Sequence, residues 1–198
     1  MLDAVRTCRL AALLPVLAAA LILGGCAKPQ TRYGDARGVE TVTNQFGSTD
    51  LQMIAESMTR SMLQTPVIVA GNLPIVTVQD VKNKTSEYID TRAITDSIRA
   101  ELQKSGKVRF AVDAAAMQQQ VEELERQQSD LYDKEQAAEK GRMVGAQYRM
   151  EGNITSIVKQ AKDVKDVYYK FNLQLWNVRN GLLEWSDEKE IRKTTSKG

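Results

Sequence analysis

A single α/β domain is expected from Ser48 to Gly198: a small mixed sheet with helices packed on both faces, ending in an antiparallel hairpin. Three patterns lead there. A β-branched run, a helix-spaced segment and a second alternating run follow one another within about forty residues, which is the order of a strand, a crossover helix and a parallel strand. From Tyr148 the hydrophobic period changes to two and stays there. Asn180-Gly181 then separates two long alternating segments, the strongest short-range hairpin signal. The 151 residues suffice for one domain that buries about two-thirds of its unfolded surface.

Thr49 and Gln52 have the spacing of a capping box, and Leu51, Ile54, Ala55, Met58 and Met62 fall on one helical face, where methionine serves as core filler. Pro66 stops this helix. Ile75 to Val81 reads as a strand, with Lys82 to Tyr88 as its exit loop. Thr91 to Ser105 carries Ile94, Ile98 and Leu102 at helical spacing, and Gly106 stands where a helix usually turns left-handed. Val108, Phe110 and Val112 alternate as the second strand. Asp113 is a good N-cap for a helix with Ala114, Met117, Val121 and Leu124 on one side and a solvated face of glutamines and glutamates on the other. Asp133 to Gly145 predicts a further helix.

The remaining strands are Tyr148 to Val158, Val167 to Val178 and Leu182 to Arg192. If the hairpin loop has two residues, position i pairs with 361 minus i, so Trp176 faces Trp185 and Val178 faces Leu183, with Phe171, Leu173 and Leu175 on the other side. Both faces are then partly apolar, as in a sheet covered on both sides. A single bulge would shift every one of these pairings. The two tryptophans read as core packing rather than as a sugar-stacking platform.

The region before Ser48 has a different character. Arg6 and Arg9 precede a run from Leu10 to Leu23 of almost wholly apolar residues, the order of a secretory signal; it is shorter than the about 20 residues that span a bilayer and contains Pro15. Leu23-Gly24-Gly25-Cys26 resembles the bacterial lipobox, in which the Cys thiol is acylated before cleavage in front of it. Residues 1–25 are therefore expected to be a lipoprotein signal peptide, Cys26 the lipidated N-terminus, and 26–47 a flexible tether. From Lys28 to Gly47 the tether reaches at most about 70 Å extended and about 25 Å as a random coil.

With residues 1–25 removed and Cys26 acylated, the chain would have neither a free thiol nor an imidazole, since Cys8 and Cys26 are its only cysteines and it contains no histidine. That excludes cysteine redox chemistry, His-dependent nucleophilic catalysis and the usual zinc sites. The remaining 25 basic and 24 acidic residues give no basic footprint for nucleic acid. No phosphate loop, G-x-G-x-x-G, G-x-S-x-G or calcium loop occurs. Glu122, Glu123, Glu125, Glu184, Asp187 and Glu188 supply carboxylates for a glycosidase pair, but solvated acidic faces are the commoner role for such positions. No catalytic residue, metal or cofactor is expected.

Val81-Lys-Asn-Lys-Thr85, Ser105-Gly-Lys107, Val144-Gly-Ala-Gln-Tyr148, Leu173-Gln-Leu-Trp-Asn-Val178 and Glu184-Trp-Ser186, in this order and behind a lipobox, resemble the LpoB-type activators of penicillin-binding proteins. The resemblance covers Leu51 to Lys193. It implies an outer-membrane lipoprotein facing the periplasm, with a domain similar to the N-terminal domain of TolB. Such a domain binds a bifunctional class A penicillin-binding protein and stimulates peptidoglycan synthesis. Ala27 fits outer-membrane sorting, whereas the single Pro29 departs from the long proline-rich spacer of better-known members.

As a monomeric docking protein, the chain would use the third strand and the loop after it, with Glu151, Asn153, Lys159, Lys162 and Lys165, and the loop bearing Asn83, Thr85 and Tyr88. Asn83 and Thr85 equally suit the satisfaction of backbone groups in a turn. The alternative is a secretion accessory resembling the CsgG-like lipoproteins. It requires membrane-spanning hairpins of about 9 to 11 residues per strand with a lipid-facing apolar side, which Lys170, Asn172 and Gln174 interrupt.

Overall fold

A computed structural model describes residues 30–196, so the expected signal segment and Cys26 lie outside the described residues. Contacts divide the chain after Asp35. Helix α1 (Ser48–Met62) forms because Ile54, Ala55, Met58 and Met62 recur on one buried face. Its start differs from the expected capping box. Gly47 is the N-cap, and its N–H donates to Asp50 Oδ2 at 2.9 Å. Thr49 and Gln52 already lie within the helix, so their side chains turn back to the backbone of Glu40 and Ala36 instead. Pro66 does more than end α1: it occupies the first turn of the short helix α2 (Pro66–Val69), where its missing N–H leaves no bond unmade.

Six strands follow, β1 (Ile75–Val78), β2 (Lys82–Lys84), β3 (Arg109–Phe110), β4 (Tyr148–Gln160), β5 (Val164–Asn177) and β6 (Leu183–Ser196), with helices α3 (Thr91–Lys104) and α4 (Ala114–Gln127) between them. The sheet order is β3-β1-β4-β5-β6, and β2 also pairs with β4. As the crossover pattern requires, β1 runs parallel to β3; it is also parallel to β4, whereas β4, β5 and β6 are antiparallel. The expected strand Ile75–Val81 breaks after Val78, and Lys82, expected in a loop, begins a second short strand against Asn153–Thr155. β4 extends well past the end of β1, and β2 pairs backbone groups along that remaining edge.

Helices α1 and α3 cover one face. Ile54, Met58 and Met62 of α1 and Ile94, Ile98 and Leu102 of α3 close over Val76, Met150, Ile154, Val167, Tyr169, Phe171, Leu173 and Leu175, all fully buried. Each such aliphatic or aromatic side chain contributes about 1.5–3 kcal/mol on burial. Asp90 caps α3 by accepting from the Arg92 and Ala93 N–H groups, and Gly106 ends it at φ 69°, in the expected left-handed conformation.

The covering on the second face is much thinner. Asp113 caps α4 as expected, accepting from the Ala116 N–H at 2.9 Å and pairing with Arg99 at 3.0 Å. Burial alone raises the Asp113 pKa, but the Ala116 N–H and the Arg99 guanidinium hold it below the usual carboxylate range. No residue of α4 is buried, and its Met117 and Val121 remain exposed. The stretch 133–145, expected as a helix, is a series of turns in which one α-turn from Asp133 to Ala137 is not continued and Gly141 adopts φ 81°. It has too few apolar residues to bury a helical face.

The hairpin loop is also longer than two residues. Asn177 N–H bonds Leu182 C=O, leaving four residues between, and only Gly181 there has positive φ, where a type I′ turn needs two. A register shift between Leu175 and Trp176 follows: Leu175 pairs with Trp185, so the expected Trp176–Trp185 pairing does not form. Trp185 packs at the core and its indole N–H donates to Ser61 Oγ, while Trp176 stands on the opposite side of the sheet.

Two outcomes test this packing. A Cβ at Gly152 would lie 2.1 Å from the Asn172 carbonyl oxygen on β5, so Gly152→Ala is expected to lower unfolding free energy by about 2 kcal/mol in a urea titration. Because its folded-state pKa is depressed, Asp113 contributes stability above the unfolded carboxylate pKa of about 3.9 and loses it as pH falls through the folded value. Asp113→Asn, which keeps a capping oxygen but removes the charge paired with Arg99, should therefore be less stable than wild type at pH 7, with the gap closing below about pH 4.

Candidate functional site

The face left without packed helices is built by the same alternation that builds the core. Val167, Tyr169, Phe171, Leu173 and Leu175 point to α1 and α3; Tyr168, Lys170, Asn172, Gln174 and Trp176 therefore point the other way and are half-exposed. Register sets rows across this open face: Glu151 beside Gln174 and Ser186, Asn153 beside Asn172 and Glu188, Thr155 beside Lys170 and Glu190, Ile157 beside Tyr168 and Arg192, and Lys159 beside Asp166 and Thr194. Lys82 continues the row of Asn153, and Lys84 that of Thr155.

Ion pairs tie the rows together, diagonally between β5 and β6 and lengthwise along β4. Lys170 Nζ lies 2.6 Å from Glu188 Oε2, Arg192 Nε 3.5 Å from Asp166 Oδ2, and Arg149 3.3 Å from Glu151. The Arg192 guanidinium also sits 5.8 Å from the centre of the Tyr168 ring. The Glu188 carboxylate hydrogen-bonded to Lys170 raises the ammonium pKa, and Glu190 beside Tyr168 raises the phenol's. The result is a platform with both charge signs and with apolar side chains at Ile157, Tyr168 and Trp176. It offers hydrogen-bond donors and acceptors held on rigid strands. Among the described residues, no group of three or more His, Cys, Asp or Glu side chains could hold a metal ion, and no helix is long and apolar enough to cross a membrane.

Of the residues singled out in the sequence, Glu151, Asn153 and Lys159 lie together on this face. Lys162 is in the turn between β4 and β5, and Lys165 pairs with Gln160 and Thr195 near that tip, on the parity of the helix side. Asn83, Thr85 and Tyr88 leave the sheet from β2, adjacent to Asn153 and Ile154. Asn83 Oδ1 accepts from the Thr85 N–H at 2.9 Å and lies 2.8 Å from the Thr85 hydroxyl, and its Nδ2 donates to the Glu87 carbonyl at 2.8 Å. Both side chains are thus engaged in shaping the turn, and Tyr88, 95% exposed, is what the turn presents.

Sequence reasoning missed Tyr168, Lys170, Asn172 and Glu188, although strict alternation from Val167 to Trp176 carried the signal. It also missed a buried polar cluster under the base of the core. Tyr169 OH donates to Glu87 Oε1 at 2.6 Å and lies 3.3 Å from the Asn44 carbonyl; the Phe46 N–H donates to Glu87 Oε2 at 3.0 Å; and Lys193 Nζ pairs with Asp50 at 2.9 Å. Burial first, and then the hydrogen bond to Glu87, push the Tyr169 phenol far above its ordinary value. These partners lie 41 to 143 residues apart in sequence, and no local pattern announces them.

Comparison with known proteins places these features in context. The family model described as the peptidoglycan-synthase activator LpoB matches residues 50–191. No curated protein matches the chain. Among solved structures, the chain is similar to the LpoB C-terminal domain from Salmonella enterica, at 19% identity over 72% of this chain and 98% of that one, with a TM-score of 0.44. The LpoB C-terminal domain from Escherichia coli gives 17% identity, the same coverages and 0.44. The NMR structure of E. coli LpoB gives 19% identity over 87% and 89% of the two chains, with 0.40.

Because Tyr169 is buried, removing its hydroxyl strands the Glu87 carboxylate without its shortest donor. Tyr169→Phe is expected to cost about 1–2 kcal/mol at pH 7 by chemical denaturation, with the far-ultraviolet circular dichroism unchanged.

Proposed function

The chain belongs to the LpoB family of peptidoglycan-synthase activators, and on that basis we propose that it is an envelope lipoprotein that docks on a bifunctional class A penicillin-binding protein and stimulates it. The family match across 50–191 carries this reading. In it, the lipid on Cys26 anchors the chain to the outer membrane, residues 1–25 are removed, and the domain faces the periplasm as a monomer. Docking uses the open sheet face, with Glu151, Asn153, Lys159, Tyr168, Lys170, Asn172 and Glu188, flanked by Tyr88 on the Asn83–Thr85 turn and by Lys162 and Lys165 at the hairpin tip.

An activator of this kind works by touch. It shifts its target by binding the active conformer more tightly than the resting one, and a coupling of about 1–3 kcal/mol suffices for a 5- to 150-fold change. A pre-formed sheet face serves this better than a loop, because little conformational entropy is lost on contact. The secretion-accessory alternative is not favoured, since β5 and β6 give one side to the core and carry Lys170, Asn172, Glu188 and Glu190 on the other, leaving no lipid-facing apolar side.

A glycan-polymerisation assay with the host's class A synthase, with and without this protein, tests the reading. Stimulation is expected. Asn172→Arg, at the middle of the open face, should weaken binding at least about tenfold, or about 1.4 kcal/mol, with the fold intact. Neither stimulation nor binding with any class A synthase of the host would overturn the assignment. Palmitate labelling that persists in Cys26→Ser would overturn the anchor.

A further inference from the structure

Residues 36–47 do not hang free. They are fastened to the domain at the start of α1 and at the base of the sheet. At the start of α1, Gln52 Nε2 donates to the Ala36 carbonyl at 2.7 Å, the Glu40 N–H donates to Thr49 Oγ1 at 2.7 Å, and the Glu40 carboxylate accepts from the Ser48 N–H at 2.9 Å, where an anion also suits the helix dipole. At the base of the sheet, Tyr169 OH reaches toward the Asn44 carbonyl, Lys193 Nζ donates to the Gln45 carbonyl at 2.6 Å, the Phe46 N–H meets Glu87, and the Phe46 ring stands edge-on to Tyr169 with centroids 5.8 Å apart. Between the two clasps, Val42 is 84% exposed.

We propose that this stretch is a strap, a stored length of tether that detaches as a unit and extends the link to the membrane while the α/β domain stays folded. The inference rests on the reading of Cys26 as the anchor. Three features make the detachment separable from unfolding. The fully buried apolar core contains no strap residue, and Phe46 only borders it. The domain groups that the strap would leave keep partners of their own: Tyr169 keeps Glu87, and Lys193 keeps Asp50. Its contacts with Ser48, Thr49 and Gln52 are made at half-exposed or exposed positions, and the Arg37 charge acts on the exposed surface carboxylate of Glu101, so water can take these over. Length is what release gains. With the strap clasped, Lys28–Asp35 reaches at most about 28 Å; the twelve strap residues add about 40 Å. For a protein held at one membrane whose partner approaches from elsewhere, that difference sets which distances can be spanned.

Native-state hydrogen exchange on the full-length protein tests the proposal without any synthase, so its failure is distinguishable from failure of the activator reading. The Glu40 and Phe46 amides should exchange more slowly than those of 30–35, yet at least tenfold faster than Ile54–Met62, and with little dependence on denaturant. Phe46→Ala, and Gly47→Ala, whose new Cβ would lie 2.3 Å from Glu40 Oε2, should each speed strap exchange at least tenfold and leave the order within α1 and β5 unchanged. Strap amides that exchange as fast as 30–35, or in step with the core, would overturn it, as would variants that leave the strap rates unmoved.

Discussion

Val167, Tyr169, Phe171, Leu173 and Leu175 occupy one side of β5 under α1 and α3, and this burial dictates where every other residue of the strand points. The pleat allows no intermediate arrangement: a slip of one residue would expose five large apolar side chains and bury Lys170 and Asn172. The open face is therefore as strongly specified as the core, without needing contacts of its own to hold it. Its ion pairs are exposed and contribute little to stability. They are available for recognition because the energy that sets their geometry is supplied on the opposite side of the sheet.

Local chemistry made much of the fold legible. Asp113 capping α4, Gly106 ending α3, and the parallel strand-helix-strand unit all depend on residues close in sequence. The misreading of the hairpin lies in the number of residues its turn needs. Asn180-Gly181 marks the hairpin correctly, but whether both residues or only Gly181 take positive φ is decided by the strands on either side, and that choice moved the tryptophans apart. The stretch 133–145 looked helical by its end signals alone, and without an apolar stripe those signals nucleate no helix.

For the candidate site, Glu151, Asn153 and Lys159 were legible because β4 was, and Lys170 and Asn172 were marked by the alternation along β5, whereas Glu188 joined them only with the correct register. The contacts of Glu87, Tyr169 and Lys193 with Asn44 to Asp50 could not be read at all. They join segments that composition divides into a polar lead and a globular body, and pairing across such a gap is a property of tertiary structure alone.

The position of β6 at the end of the sheet has one more effect. An outermost strand of fourteen residues offers a row of unpaired backbone groups to any extended chain that passes, including another molecule of the same kind. Here that border is dense in Glu184, Asp187, Glu188, Lys189, Glu190, Arg192 and Lys193. Crowding another strand against them would mean stripping water from charge at almost every step, which opposes fibrillar stacking between copies of the chain.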